Sequence, residues 1–409
     1  MLRRLIGAAV TASFATALSA QPAAPSFDSS ASMFPAAPLV DMHYADSALV
    51  IPPTKEFLER FPSATSLPDN PLAQEMAAAI ERFDGEWGEL PTTALAEGSV
   101  LKPGASGERV GAVRERLGLA AGTQFDEELG SRIAAYRAAH GLAPGSNIDN
   151  ELVASLNRGH AYYRNLLELN LRRFKRLPSD LGDRYVMVDL TTQTLRMVEN
   201  GQTVDSMKVV IGKSETPTPI MAGVLRYSVL NPYWNVPFDL ARESVAPKYL
   251  SQGNAYLKRT GFQVLDEAGN VQDPASVDWR GAANGSTQII VRQLPGPGNG
   301  MGAAKFMFPN ALGIYLHDTP SRDLFTKSER LFSAGCIRVE DYKRFGTWLY
   351  GSMPTASGDA PEQRVDVPDP VPVYVAYFTA VPSAGGFEFR EDIYGRDAPR
   401  LARLESMTN

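Results

Sequence analysis

The stretch YVMVDLTTQTLRMVENGQTVDSMKVVI, running from Tyr185 to Ile211, decides the fold. Upstream of it apolar residues recur every three or four positions; here they alternate or run in short blocks at 185–190, 194–198 and 204–211, rich in Val and Met. That change of period reads as three strands. Asn200-Gly201, between the second and third, supplies two residues that tolerate positive φ, as a two-residue hairpin turn requires. A mainly β unit is therefore expected from residue 183 to 409. Further strands are expected at 223–230, 287–293, 313–316 and 371–379, with helices only near Ser328 and over 340–350. Residues 236–286 contain helical pieces around Lys248-Tyr249-Leu250 and 256–259 without a strong strand pattern, and read as an inserted lid.

Working towards the N-terminus, residues 158–182 form an amphipathic helical connector, with Arg172, Arg173, Lys175 and Arg176 on a solvated face. Residues 98–157 read as a compact three-helix unit. Its first helix follows Gly107 and carries Val110, Val113 and Leu117; its second starts at Asp126 with Leu129, Ile133 and Tyr136 and ends at Gly141; Asp149 caps the third, with Leu152, Val153 and Leu156. Residues 50–97 form an N-terminal helical region broken by Pro53, Pro62, Pro68 and Pro91, and residues 21–49 an Ala, Pro and Ser-rich flexible tether. In residues 1–20, Arg3 and Arg4 precede an uncharged stretch ending in small residues, which reads as a secretory signal peptide and predicts export to the periplasm.

The 409 residues predict several domains, and 64 Gly plus Pro with 44% hydrophobic residues describe a chain that folds. A net charge of −6, from 40 basic and 46 acidic residues, leaves no polybasic surface for a phosphate backbone, so no nucleic acid partner is expected. No apolar run reaches the length of a membrane span. The four histidines, His43, His140, His160 and His317, are scattered and the chain has one cysteine, so no metal site and no cofactor are expected. His140, at a helix end, reads as a cap or a packed side chain. Gly298-x-Gly300-x-x-Ala303 matches a loosened dinucleotide fingerprint, but Pro295 and Pro297 precede it and Pro309 follows where a helix is needed, so it reads as a loop.

The chemistry lies in Tyr315-Leu316-His317-Asp318-Thr319-Pro320 and Ser333-Ala334-Gly335-Cys336-Ile337-Arg338-Val339. An exported chain with a single cysteine cannot close an internal disulfide, so the thiol is incidental, a dimer link or reactive. A thiol and an imidazole together can perform nucleophilic catalysis, the imidazole removing the proton and later returning it to a leaving amine. His317 is expected at a strand end, and Cys336 at a turn into a helix whose free N–H groups would lower its pKa and bind an oxyanion. Gly335 opens the backbone to an approaching carbonyl and is a candidate oxyanion-hole residue.

These residues resemble those of the L,D-transpeptidases, whose signature is a His followed after about 15 residues by (Ser/Thr)-His-Gly-Cys-x-(Arg/Asn); Ala334 stands where the family commonly has a second His. Asn231-Pro232-Tyr233-Trp234-Asn235-Val236-Pro237, Arg292 to Pro297, Lys305-Phe306-Met307-Phe308-Pro309-Asn310 and Ile393-Tyr394-Gly395-Arg396-Asp397 are similar to the large periplasmic type, extending the resemblance over about 350 residues. Gly107, Val110, Leu117, Phe125-Asp126, His140-Gly141-Leu142, Asp149 and Leu156-Asn157 resemble a peptidoglycan-binding domain.

The resemblance implies a multidomain α+β protein, with a mainly β catalytic domain carrying a lid and a small three-helix wall-binding domain. It implies a transferase that takes a tetrapeptide stem as acyl donor, forms a thioester on Cys336 with His317 as general base and acid, releases D-Ala, and passes the acyl group to a second stem as a 3-3 cross-link. It further implies substrate contacts at Tyr315, Trp234, Arg338 and Ser333, with Ser333 also read as organising the turn, acylation by carbapenems, and a role in cell-wall biogenesis and cell shape. The same chemistry would serve an L,D-carboxypeptidase or the attachment of envelope proteins to the wall. A wall-binding scaffold without activity is the reading from a different class, and it has no use for both Cys336 and His317.

Overall fold

The computed structural model describes residues 70–408; the expected signal peptide, the tether and residues 50–69 of the N-terminal helical region lie outside them. Helix α1 (Pro71–Trp87) begins where the Asn70 side chain accepts the Ala73 N–H at 2.9 Å, with Pro71 where no donor is needed. Its Ala73, Met76, Ile80, Phe83 and Trp87 recur on one face, and all are buried. Then come α2 (Glu108–Arg116), α3 (Glu127–Ala139) and α4 (Asn150–Phe174). Asp126 and Asp149 cap α3 and α4, accepting from Leu129 N and Leu152 N at 2.9 Å. His140 caps the C-terminus of α3 and is packed, its ring stacked on Tyr136 at 3.7 Å, and burial pushes its pKa down to about 3. Helix α4 breaks at Gly159 (φ 73°) and continues to Phe174.

The β unit contains β1 (Arg184–Asp189), β2 (Thr194–Glu199), β3 (Gln202–Gly212), β4 (Met221–Leu230), β5 (Trp234–Val236), β6 (Phe262–Leu265) and β7 (Ile290–Gln293). It continues with β8 (Ala304–Met307), β9 (Leu316–His317), β10 (Leu331–Ser333), β11 (Ile337–Val339), β12 (Gln363–Ala376), β13 (Ala380–Ser383) and β14 (Gly386–Phe389). Asn200 (φ 50°) and Gly201 (φ 76°) make the turn between β2 and β3. The nine-stranded sheet has the order β10-β3-β11-β9-β8-β4-β12-β1-β2, and β2 also pairs with β3. The sheet therefore closes on itself, removing the open edges that invite misassembly, with β10 added outside the ring.

Alternation sorts the two faces. Val186, Val188, Leu225, Val373 and Val375 point into the ring with Phe306, Leu316 and Ile337. Tyr185, Met187, Tyr374 and Ala376 point outward and share one core with α1 to α4. Fully burying a side chain of this size contributes about 1.5–3 kcal/mol, so the outer face and the helices hold each other in place. Phe174 stacks on Phe378 at 4.0 Å, and Phe83 meets Phe387 edge-on at 5.7 Å. The helices pack their apolar faces on the outer face of the sheet, which periodicity along the chain does not disclose.

Several expected elements differ. The insertion is framed by β5 and β7, which pair with each other (Trp234 with Gln293), so it spans 234–293 rather than 236–286. It contains β6, where no strong strand pattern was read, together with α5 (Ala246–Gln252), α6 (Asn254–Thr260) and α7 (Trp279–Asn284). Its own core of Val236, Val245, Leu257, Val264, Trp279 and Val291 explains how such short elements persist. β8 and β10 fall where no strand was expected, and near Ser328 there is a 3₁₀ turn, Arg322–Thr326. Helices α8 (Tyr342–Tyr350) and α9 (Ala398–Thr408) complete the chain.

Candidate active site

Strand pairing assembles the site from three separate stretches. β9 and β11 run parallel, with His317 opposite Arg338, and β8 runs antiparallel to β9, with Lys305 opposite His317. The period-two rule puts Tyr315, His317, Cys336, Arg338 and Lys305 on one face, while Leu316, Ile337 and Phe306 fill the core on the other. A register slip of one residue would bury the thiol and expose the core, so the core fixes the site.

Cys336 does not lead into a helix. The residues after it are β11, so the helix dipole invoked from sequence is not available to the thiol. Burial pushes the Cys336 thiol up; the Tyr315 N–H and hydroxyl, with the charges of Arg338 and Lys305, pull the other way without reversing the shift. Cys336 is half-buried, and its Sγ lies 3.8 Å from the Gly313 carbonyl.

His317 is 2% exposed, and its pKa is pushed down to about 3, by burial first and by Arg338 next. Its Nδ1 lies 2.5 Å from the Asp318 carbonyl oxygen. A carbonyl only accepts, so Nδ1 carries the proton and Nε2 is the basic nitrogen. The orienting partner, which spacing left open, is therefore the next residue's own backbone. The Met301 carbonyl also faces the ring. The Asp318 carboxylate accepts Ala303 N–H at 2.8 Å and pairs with Arg322, which pins the 299–303 loop beneath the imidazole.

The Ser333 to Cys336 turn is tied internally. Ser333 Oγ donates to the Cys336 carbonyl at 2.6 Å and accepts the Gly335 N–H at 3.1 Å. Ser333, 3% exposed, thus has its hydroxyl committed to the turn rather than to a substrate. The Gly335 N–H, expected as an oxyanion donor, is occupied; among the described residues the N–H groups of this turn with no acceptor are those of Ala334 and of Cys336 itself. Gly335 (φ 114°) adopts a conformation open to glycine.

Tyr315 meets His317 edge-on at 5.8 Å and donates to Met301 Sδ at 3.4 Å; burial raises its hydroxyl pKa well above the usual value. The Arg338 side chain has no hydrogen bond or ion pair among the described residues, and its buried Nε is unpaired, so its charge is open to an anionic group. Trp234 sits on β5 and packs on Phe262 and on Gly300, where an added Cβ would lie 2.7 Å from the indole. It belongs to the insertion and not to the His317–Arg338 face. Lys305 is a site residue the sequence did not mark, because β8 is too short for its alternation with Phe306 to stand out.

The insertion reaches the site through its exit loop. Asn299 Nδ2 donates to the carbonyls of Pro232, Gln293 and Leu294, and Asn299 Oδ1 accepts Met301 N–H. The fingerprint-like glycines lie in this loop, as expected. Among the described residues no group of His, Cys, Asp and Glu is placed to hold a metal ion, and no helix is long and apolar enough to cross a membrane.

Residues 183–373 match the family profile of the YkuD L,D-transpeptidase catalytic domain. A Haemophilus influenzae protein named provisionally as an L,D-transpeptidase is 32% identical over 238 residues, covering 56% of this chain and 48% of that protein, so the chain spans about half the length of this curated relative. Among solved structures, an L,D-transpeptidase from Xylanimonas cellulosilytica is similar at 16% identity and a TM-score of 0.21, covering 70% of this chain and 100% of that one. An L,D-transpeptidase from Mycobacterium smegmatis is similar at 15% identity and a TM-score of 0.23, covering 47% and 58%. Residues 183–373, with the thiol and imidazole on one face of a closed mixed sheet, match the L,D-transpeptidase catalytic domain family.

Proposed function

We propose that this protein is a peptidoglycan L,D-transpeptidase of the periplasm that forms 3-3 cross-links through a thioester on Cys336. The observation that carries the reading is the neutral pair on one sheet face: a thiol pushed up by burial, and an imidazole pushed down, with Nδ1–H held by the Asp318 carbonyl. Such a pair works by proton transfer in step with attack. Cys336 Sγ forms a bond to the carbonyl carbon of the donor's third residue as the thiol proton passes to His317 Nε2. The tetrahedral oxyanion accepts from Cys336 N–H. Its collapse breaks the amide bond, the proton on Nε2 goes to the departing D-Ala amine, and the thioester remains. An acceptor amine then attacks, His317 takes its proton, and the thiolate leaves and is reprotonated.

Arg338, unpaired and beside Cys336, supports recognition of a donor carboxylate. In this reading Tyr315 lines the donor site and the 234–293 insertion excludes water, with Trp234 at its base. The helical unit at 98–157 serves as a wall-binding element that shares a core with the outer face of the catalytic sheet.

The test is intact-mass spectrometry of the full chain with a tetrapeptide stem or a carbapenem. Cys336→Ser and His317→Ala are each expected to lose the acyl adduct while remaining folded, and a wild-type rate of adduct formation on Cys336→Ser would refute the assignment.

A further inference from the structure

The Ile393 to Asp397 segment, far from Cys336 in sequence, is joined to it by an unbroken set of hydrogen bonds. Tyr394 Oη donates to the Gly212 carbonyl at 2.6 Å and accepts Thr218 N–H at 3.4 Å. Arg396 Nη2 donates to the Thr218 carbonyl at 3.1 Å, and its guanidinium lies 4.8 Å from the ring centres of both Tyr377 and Tyr394. Thr218, fully buried, is thus held on both sides of its backbone. Its hydroxyl accepts Gly212 N–H at 2.9 Å and donates to the Gly335 carbonyl at 2.7 Å.

The last bond matters because Gly335 C=O and Cys336 N–H belong to one peptide unit. A trans peptide is planar, with its C=O and N–H pointing in opposite directions, so fixing one fixes the other. Gly335, at φ 114°, is the residue in this turn freest to let that plane rotate. The segment is itself anchored. Asp392 Oδ1 accepts the Tyr377 hydroxyl at 2.5 Å and Arg396 N–H at 2.8 Å, and Asp397 meets Arg173 of α4 at 2.5 Å.

We propose that Thr218, braced by Tyr394 and Arg396, is a positioning residue that aims the Cys336 N–H at the oxyanion of the acyl-transfer step. This rests on the reading of Cys336 as nucleophile. Thr218 acts only through the peptide plane, so its loss slows steps that build an oxyanion and spares those that do not.

The experiment compares two reactions of Cys336 in the full chain: acylation by a tetrapeptide stem, which passes through an oxyanion, and alkylation by iodoacetamide, which does not. Thr218→Val keeps the shape and removes both hydroxyl bonds; it is expected to lower kcat for acylation about ten- to a hundredfold, with KM and the alkylation rate each within about twofold of wild type. Thr218→Ser, which keeps the hydroxyl, is expected to restore most of the loss. Tyr394→Phe, which keeps the ring packing, covers the case of Thr218→Val failing to fold; it is expected to lower acylation about three- to tenfold and to add little in the Thr218→Val background.

Wild-type acylation by folded Thr218→Val, or by Tyr394→Phe where Thr218→Val does not fold, overturns the proposal. So does a parallel fall of acylation and alkylation. Acylation surviving in Cys336→Ala would instead overturn the underlying reading of the nucleophile.

Discussion

The pH dependence of acylation separates a neutral thiol and imidazole from an ion pair. With its pKa pushed down to about 3, His317 would be only about 1% protonated at pH 5. An imidazole at the ordinary value of about 6.5 would be about 97% protonated there, and the base would be depleted roughly thirtyfold. Acylation of Cys336 by a tetrapeptide is therefore expected to stay within about twofold between pH 5 and 7.5. Alkylation by iodoacetamide needs the thiolate, and because burial raises the thiol, its rate is expected to climb about tenfold per pH unit through pH 8 without a plateau. Both rates can be followed by intact mass in the same buffers. An acid limb in acylation with a midpoint near 6.5, or an alkylation rate already on a plateau at pH 6, would refute the reasoning. The plateau would show a thiolate–imidazolium pair, and the acid limb an imidazole not desolvated by its surroundings.

Stability should carry the same signature: His317 and His140 are both held near 3 when folded, so the unfolded chain binds more protons below about 6.5 and stability falls as pH drops. Between pH 6.5 and 5 each contributes a loss of about 1.6 kcal/mol, and His317→Gln should remove about half of their joint effect on urea midpoints. Arg173→Met leaves the Asp397 carboxylate buried and unpaired and is expected to cost about 3–5 kcal/mol in urea unfolding, largely restored by adding Asp397→Leu. Shortening the 234–293 insertion while keeping the β5 and β7 pairing should shift products from cross-linked dimer towards tripeptide, read by chromatography, with Cys336 acylation retained. Surface substitutions on α2 and α3 should weaken sacculus pull-down and leave turnover of a soluble tetrapeptide unchanged.

Local rules account for what was legible early. Asp126 and Asp149 cap their helices because a carboxylate two or three residues ahead of an apolar period has nearby N–H groups to accept from. Asn200-Gly201 turns because both residues tolerate positive φ. Short strands such as β8, β9, β10 and β11 are less visible, since two to four residues hold too little of a period to stand above the background; they exist because neighbours complete their hydrogen bonds. The expectation of a helix after Cys336 failed for the same reason: Ile337 to Val339 is held as a strand by Val209 and Val210 on one side and by Leu316 and His317 on the other.

The sequence by itself determined the residue types and their alternation: a thiol, an imidazole and an arginine spaced so that a β period places them on one face, with Leu316 and Ile337 on the opposite one. Only the tertiary structure decided what surrounds them. The Asp318 carbonyl sets the His317 tautomer, Ser333 occupies the Gly335 N–H, Thr218 holds the Gly335 carbonyl, and Lys305 reaches the face from another strand. Helices α1 to α4 likewise share a core with the outer face of the sheet instead of standing apart. Each of these depends on which backbone groups and side chains meet across long sequence separations, and burial and hydrogen-bond satisfaction settle that only when the whole chain closes around a common core.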